Sequence, residues 1–264
     1  MTMKTKRLAI LNLFSLGFHI SMSYLVQMNY FSSLDVGQVS AKYDTVFAPA
    51  GITFAIWGII YFSLLVFTIG HAFYAFRGPE SFQVNKDTGE IGILFILNNI
   101  ATGLWLLAWV NEQLLMSLIL ILVQLITLIL ISIRAHISNP DRPLITKIIT
   151  HFPLSIYFAW INVATIANFS AFLKVTGFPG SESFWTIMMI GIVCLLSLFI
   201  ILVRRNIFYG FVIIWALYGI ILKREQLDEI IYENVITAAY AAIFLVILAI
   251  VLRFLSMLKP AVKP

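Results

Sequence analysis

The stretch LLMSLILILVQLITLILISIR, residues 114–134, decides the fold class. It runs twenty-one residues with its only charge, Arg134, at the end. A helix needs about 20 apolar residues to cross the hydrocarbon core of a bilayer. The same texture extends through the chain. Of 264 residues, 61% are hydrophobic and 11% charged, against roughly 25% charged in an ordinary soluble domain, and the mean hydropathy is +0.98. The apolar residues come in long blocks, without the short alternating strands of a β-barrel. The expected class is all-α: a polytopic membrane helical bundle, because lipid requires backbone polar groups to be satisfied within each segment.

Eight spans are expected, near residues 8–28, 47–76, 91–111, 114–134, 144–173, 184–203, 206–222 and 232–256. The basic residues test this count. If alternate connections are cytoplasmic, beginning at the N-terminus, that side holds Lys4, Lys6, Arg7, Arg77, Lys86, Arg134, Arg142, Lys147, Arg204, Arg205, Arg253, Lys259 and Lys263. The other side holds only Lys42, Lys174, Lys223 and Arg224. This asymmetry fits eight spans with both termini cytoplasmic, in a membrane expected to be the bacterial cell membrane. The net charge of +5 is therefore an orientation signal, and no nucleic-acid partner is expected. The basic N-terminus lacks a small-residue cleavage site and reads as uncleaved.

Asn111-Glu112-Gln113, Ser138–Pro143 (SNPDRP) and Lys86–Glu90 (KDTGE) read as turns. Residues 29–46 form the longest non-cytoplasmic connection and are expected over the outer mouth of a bundle. No soluble domain, repeat or low-complexity tract is read.

Most catalytic chemistry is excluded by what the spans contain. His19, His71, His136 and His151 are too far apart for a metal motif. The single Cys194 excludes an intramolecular disulfide and reads as a buried thiol. No lysine lies deep in a span to carry a Schiff base, and no phosphate-binding loop or nucleophile elbow occurs. Carboxylates of the proton-driven transporter type are missing from the spans. Asp228, Glu229 and Glu233 gather where the last span begins, where acidic groups complement a helix N-terminus. His19 falls in mid-span, at a depth where ionisable groups are costly and often functional; the plainer reading is a neutral imidazole bonded to a neighbouring helix.

What remains is aromatic and amide-rich. In PAGITFAIWGIIY, residues 49–61, Pro49 and Gly51 mark a helix entry. Phe54, Trp57 and Tyr61 then share a helical face. The third span carries Asn98, Asn99, Trp105 and Trp109. The fifth carries Trp160, Ala164 and Asn168 as one stripe, with Asn162 and Thr165 beside it. Trp109 and Trp185 suit an interfacial belt. Single aromatics of this kind usually pack. Three stripes on separate spans suggest a site for a flat apolar ligand between helices, and an amide in lipid must find a partner across helices or on a ligand.

At these residues the chain resembles the TspO/MBR family, the tryptophan-rich sensory proteins related to the mitochondrial translocator protein. Pro49, Gly51, Phe54, Trp57 and Tyr61 resemble the Pro-Pro-Gly-Trp-x-Phe-x-x-x-Trp-x-x-x-Tyr opening of the family's second helix. Ala50 and Ile52 replace its second Pro and first Trp, and Trp57 comes one residue early. Leu97-Asn98 resembles the start of the third helix. Ala159, Trp160, Ala164, Thr165 and Asn168 resemble Ala-Trp-x-x-Phe-Ala-Thr-x-Leu-Asn, with Val163 and Ala167 substituted.

The resemblance covers residues 1–176. It implies a five-helix bundle there, with residues 177–264 as three additional spans. It also implies a pocket open towards the connection between the first two helices. Family members bind tetrapyrroles, sterols and benzodiazepine-type compounds, and some degrade protoporphyrin in light. Carried over by position, Trp160, Ala164 and Asn98 are pocket residues. The expected ligand-binding set is Pro49, Phe54, Trp57, Tyr61, Asn98, Trp105, Trp160, Ala164 and Asn168. The expected partners are membrane lipids and a small hydrophobic ligand, a tetrapyrrole among the candidates, with no covalently bound cofactor and with room for a homodimer. Binding is expected ahead of catalysis; transport of a small hydrophobic molecule and tetrapyrrole modification stand as alternatives.

Overall fold

A computed structural model describes residues 3–227 and 230–258, with side chains to residue 256. Asp228, Glu229, Lys259 and Lys263 lie outside the described residues. The described residues are helical with no strand. They form two compact units: Met1–Thr45 with Phe54–Phe178, and Val46–Thr53 with Pro179–Pro264.

The first unit contains α1 (Met3–Gln27), α2 (Val36–Tyr43), α3 (Ile56–Arg77), α4 (Gln83–Ile91), α5 (Leu94–Val110) and α6 (Leu114–Arg134). It ends with α7 (Leu144–Thr146), a π turn at Lys147–His151 and α8 (Phe152–Val175). The second unit contains α9 (Glu182–Leu202), α10 (Ile207–Glu225) and α11 (Glu233–Leu258).

Among the described residues, seven helical stretches are long and apolar enough to cross a membrane by themselves. The eighth span exists only if α4 and α5, bent by 56°, are taken together. KDTGE is not a turn but part of α4, and the break comes at Gly92, where φ is +53°. A glycine adopts this left-handed conformation at no Cβ cost. The polar residues of α4 are held by tertiary bonds: Asn85 donates to the Tyr74 and Pro79 carbonyls at 3.2 and 2.9 Å. His71 of α3 lies between Thr88 of α4 at 2.8 Å and Thr150 of the π turn at 2.9 Å. The π turn has its own cause. Pro153 cannot donate a helical hydrogen bond, and its ring would crowd the carbonyl four residues back, so the coil widens just before it.

Polar side chains bond the helices of the first unit to one another. Asn99 of α5 reaches His19 and Ser15 of α1 at 3.0 and 3.3 Å. Asn98 donates to the Gln124 carbonyl and to Thr127 of α6 at 3.0 and 2.8 Å. Asn168 of α8 pairs with Ser117 of α6. Thr102 of α5 bonds Gln124 at 3.0 Å and Tyr157 of α8 at 2.8 Å. Where water is excluded, such bonds satisfy groups that would otherwise be costly to bury.

In the second unit the residues around Ala50 and Thr53, ahead of α3, lie on α10. The Ala50 N–H donates to the Gly219 carbonyl at 2.9 Å, and the Trp215 indole N–H donates to the Thr53 carbonyl at 2.9 Å. Gly219 permits the approach: a Cβ there would collide with Thr53 and come within 3.0 Å of Pro49. Cys194 is a buried free thiol. Glu233 opens α11, the position expected for an acidic residue at a helix N-terminus.

Candidate functional site

The site begins with the run Phe54–Tyr61. Gly51–Ala55 is a 3-10 turn that passes into α3. In a 3-10 turn, side chains three apart eclipse. Phe54 and Trp57 therefore align although their spacing is one residue shorter than the family pattern. Both meet the ring of Trp160 of α8 edge-on, at 6.0 and 6.3 Å between centroids. Trp57 also stacks on Tyr61, one α-turn on, at 5.3 Å and 27°.

Two further rings close the group. His19 of α1 stands edge-on to Trp57 at 6.2 Å and to Tyr61 at 5.3 Å. Tyr157 of α8 lies 6.2 Å from Trp57 and 6.4 Å from His19. Six rings from α1, the head of α3 and α8 thus form an aromatic box. Aromatic pairs of this geometry contribute about 0.5–1.5 kcal/mol each beyond burial. His19, Tyr157 and Trp160 are buried, whereas Phe54, Trp57 and Tyr61 are half-buried. The hydroxyl of Tyr61 is held by Ser23 at 2.9 Å.

The nine expected residues divide. Phe54, Trp57, Tyr61 and Trp160 come together. Half-buried Ala164 follows Trp160 by one turn on α8. Asn98 and Asn168 are bonded to α6, as described above. Trp105 stacks on Trp109 at 5.9 Å and 17°. Pro49 is buried in the second unit against Gly219. His19 was expected to bond a neighbouring helix, and it does so through Asn99. Its place within the box was missed, as was Tyr157. The signal for Tyr157 was its position three residues before Trp160, on the same face.

α2 lies at the same end of the unit as the box, because it connects the end of α1 to the head of α3. Its start is fixed by a capping box between Asp35 and Gln38. The helix is tied down at three points. The Trp109 indole N–H donates to the Val36 carbonyl at 3.1 Å. Lys174 donates to the Asp44 carbonyl at 2.9 Å. Glu112 accepts from Lys42 at 2.8 Å and from the Tyr43 hydroxyl at 2.6 Å. Trp109 is accordingly buried at 5% exposure, which corrects the expectation of an interfacial belt residue.

Glu112 sits in the tight turn after α5 with φ +59°. Its N–H donates to the Trp109 carbonyl, and that of Gln113 to the Ala108 carbonyl. This is the Schellman arrangement that commonly takes glycine. The bonds from Lys42 and Tyr43 lower the Glu112 pKa, Lys42 having the larger effect. Desolvation and the bond to Glu112 push the Tyr43 phenol up to about 12.

Among the described residues no three His, Cys, Asp or Glu side chains could hold a metal ion. The arrangement is that of a polytopic helical membrane protein with an aromatic box between its helices. The model of the TSPO-like protein family matches residues 9–252, and the chain belongs to that family. The match runs from α1 into α11, so α9, α10 and most of α11 lie within it, beyond the residue 176 at which the motif resemblance stopped. No curated protein and no solved structure matches the chain.

Proposed function

We propose that the protein binds a flat, largely apolar small molecule in the aromatic box, as a sensory or receptor protein of the TspO type. The observation that carries this reading is the set of six rings from α1, the 3-10 turn leading into α3, α3 itself and α8, three of them only half-buried beside buried Trp160. Such rings hold a flat ligand by stacking and edge contacts. The short helix α2, tied by polar bonds at the same end, would act as its cover. Tetrapyrroles, sterol-like molecules and lipids all have suitable shapes. The asymmetry of basic residues supports a bacterial cell-membrane protein with both termini in the cytoplasm.

Transport of the same molecule is a second reading, favoured by the 56° break between α4 and α5. Broken spans beside polar groups are features of transporters. Native mass spectrometry of gently purified protein tests the binding reading. A co-purifying flat hydrophobic molecule, lost in Trp57→Ala, is the expected result; a protein with no retained molecule that takes up no tetrapyrrole, sterol or lipid at micromolar concentration would refute it.

A further inference from the structure

Two buried polar atoms of the box have no hydrogen-bond partner: Nε2 of His19 and Nε1 of Trp160. His19 is 0% exposed and Trp160 2%. Buried polar atoms are nearly always paired, and leaving one unpaired is costly. The surrounding bonds fix what each atom offers. Asn99 spends its amide N–H groups on the Phe95 carbonyl at 2.9 Å and on Ser15 at 3.3 Å. Its Oδ1, 3.0 Å from His19 Nδ1, must therefore accept the Nδ1–H. That tautomer leaves Nε2 as a bare acceptor. It lies on the far side of the imidazole from Asn99, in a ring flanked by Trp57, Tyr61 and Tyr157. The indole of Trp160 is a donor only. Both rings stand near Trp57, at 6.2 and 6.3 Å.

Resting on the binding reading above, we infer that the box selects an uncharged ligand whose seated end carries an O–H or N–H donor for His19 Nε2, together with an acceptor for the Trp160 N–H. A hydroxyl carries both functions, an O–H that donates and an oxygen that accepts. The six box residues include no cation to offset a carboxylate, and an unpaired buried anion is strongly disfavoured. Acidic groups of a ligand would have to lie outside the rings.

The test uses three probes of nearly one shape, 1-pyrenemethanol, its methyl ether and pyrene, titrated into the full chain in lipid nanodiscs by energy transfer from tryptophan. The alcohol should bind about tenfold more tightly than the ether, since only it donates to His19. His19→Phe should abolish the difference, bringing the ratio of alcohol to ether affinity to about one. Trp160→Phe should weaken the two oxygen-bearing probes more than it weakens pyrene. Saturable but equal binding of alcohol and ether to the unmodified chain overturns this inference and leaves the binding reading standing. Saturable binding of none of the three contradicts the binding reading itself. The comparison in the unmodified chain holds whether or not the His19 variant folds.

Discussion

Trp57 is the residue at which the site is decided, since it touches four of the other five rings of the box. Trp57→Ala should weaken a flat ligand at least tenfold, read by quenching of the remaining tryptophans, and change stability less than Trp160→Ala, whose ring is buried. Asn98 should behave in the opposite way. Its amide N–H groups serve α6, so Asn98→Ala leaves Thr127 and the Gln124 carbonyl short of a donor. A loss of about 1–3 kcal/mol in unfolding stability is expected, with ligand affinity nearly unchanged; a selective loss of affinity would return Asn98 to the ligand site. Spacing alone made the Phe54–Trp57–Tyr61 stripe and Trp160 legible, because helical period places them on faces. It could not show which way an amide turns. Asn98, Asn99 and Asn168 look alike in the sequence, and their partners lie 26, 80 and 51 residues away.

At the scale of elements, α2 is held against the turn that carries Glu112. The Glu112 pKa is lowered in the folded state, so its bonds to Lys42 and Tyr43 contribute above the ordinary glutamate range. They fade as pH falls through the lowered pKa. The protection of α2 amides, taken relative to their intrinsic exchange at each pH, should therefore be steady from pH 7 to about 5 and fall below about 4. Glu112→Gln should lose that pH dependence. The stability at stake is small, about 0–1 kcal/mol, because the pair is exposed. A second prediction concerns Gly219. Gly219→Val should drive the Pro49–Thr53 segment off α10 and free the Trp215 indole, seen as a shift in its emission. Unchanged Trp215 emission would contradict the contact. The long apolar helices were legible because their composition alone requires them. The bend at Gly92 and the π turn before Pro153 were not. A helix broken by one glycine and a turn sealed by His71–Thr88–Thr150 depend on partners far away in the chain.

For the whole molecule, the eight-span reading depends on α4 and α5 crossing as one bent pair. With Cys194→Ser as background, cysteines at Ser33 and Asp141 should be labelled by an impermeant maleimide from opposite sides of the membrane. Labelling of both from the same side would break the proposed orientation. The family match to residues 9–252 joins both units in one pattern. This could not be read from motifs that end in α8, since the later helices repeat none of them. The central claim, however, is the box, and saturable quenching of tryptophan fluorescence by protoporphyrin dimethyl ester in nanodiscs tests it most directly. The uncharged ester should quench the unmodified chain at a one-to-one ratio, and the Trp57→Phe, Trp160→Ala double variant should lose at least tenfold in affinity. Absence of saturable quenching, or equal affinity in the double variant, would contradict the assignment of the box as the binding site.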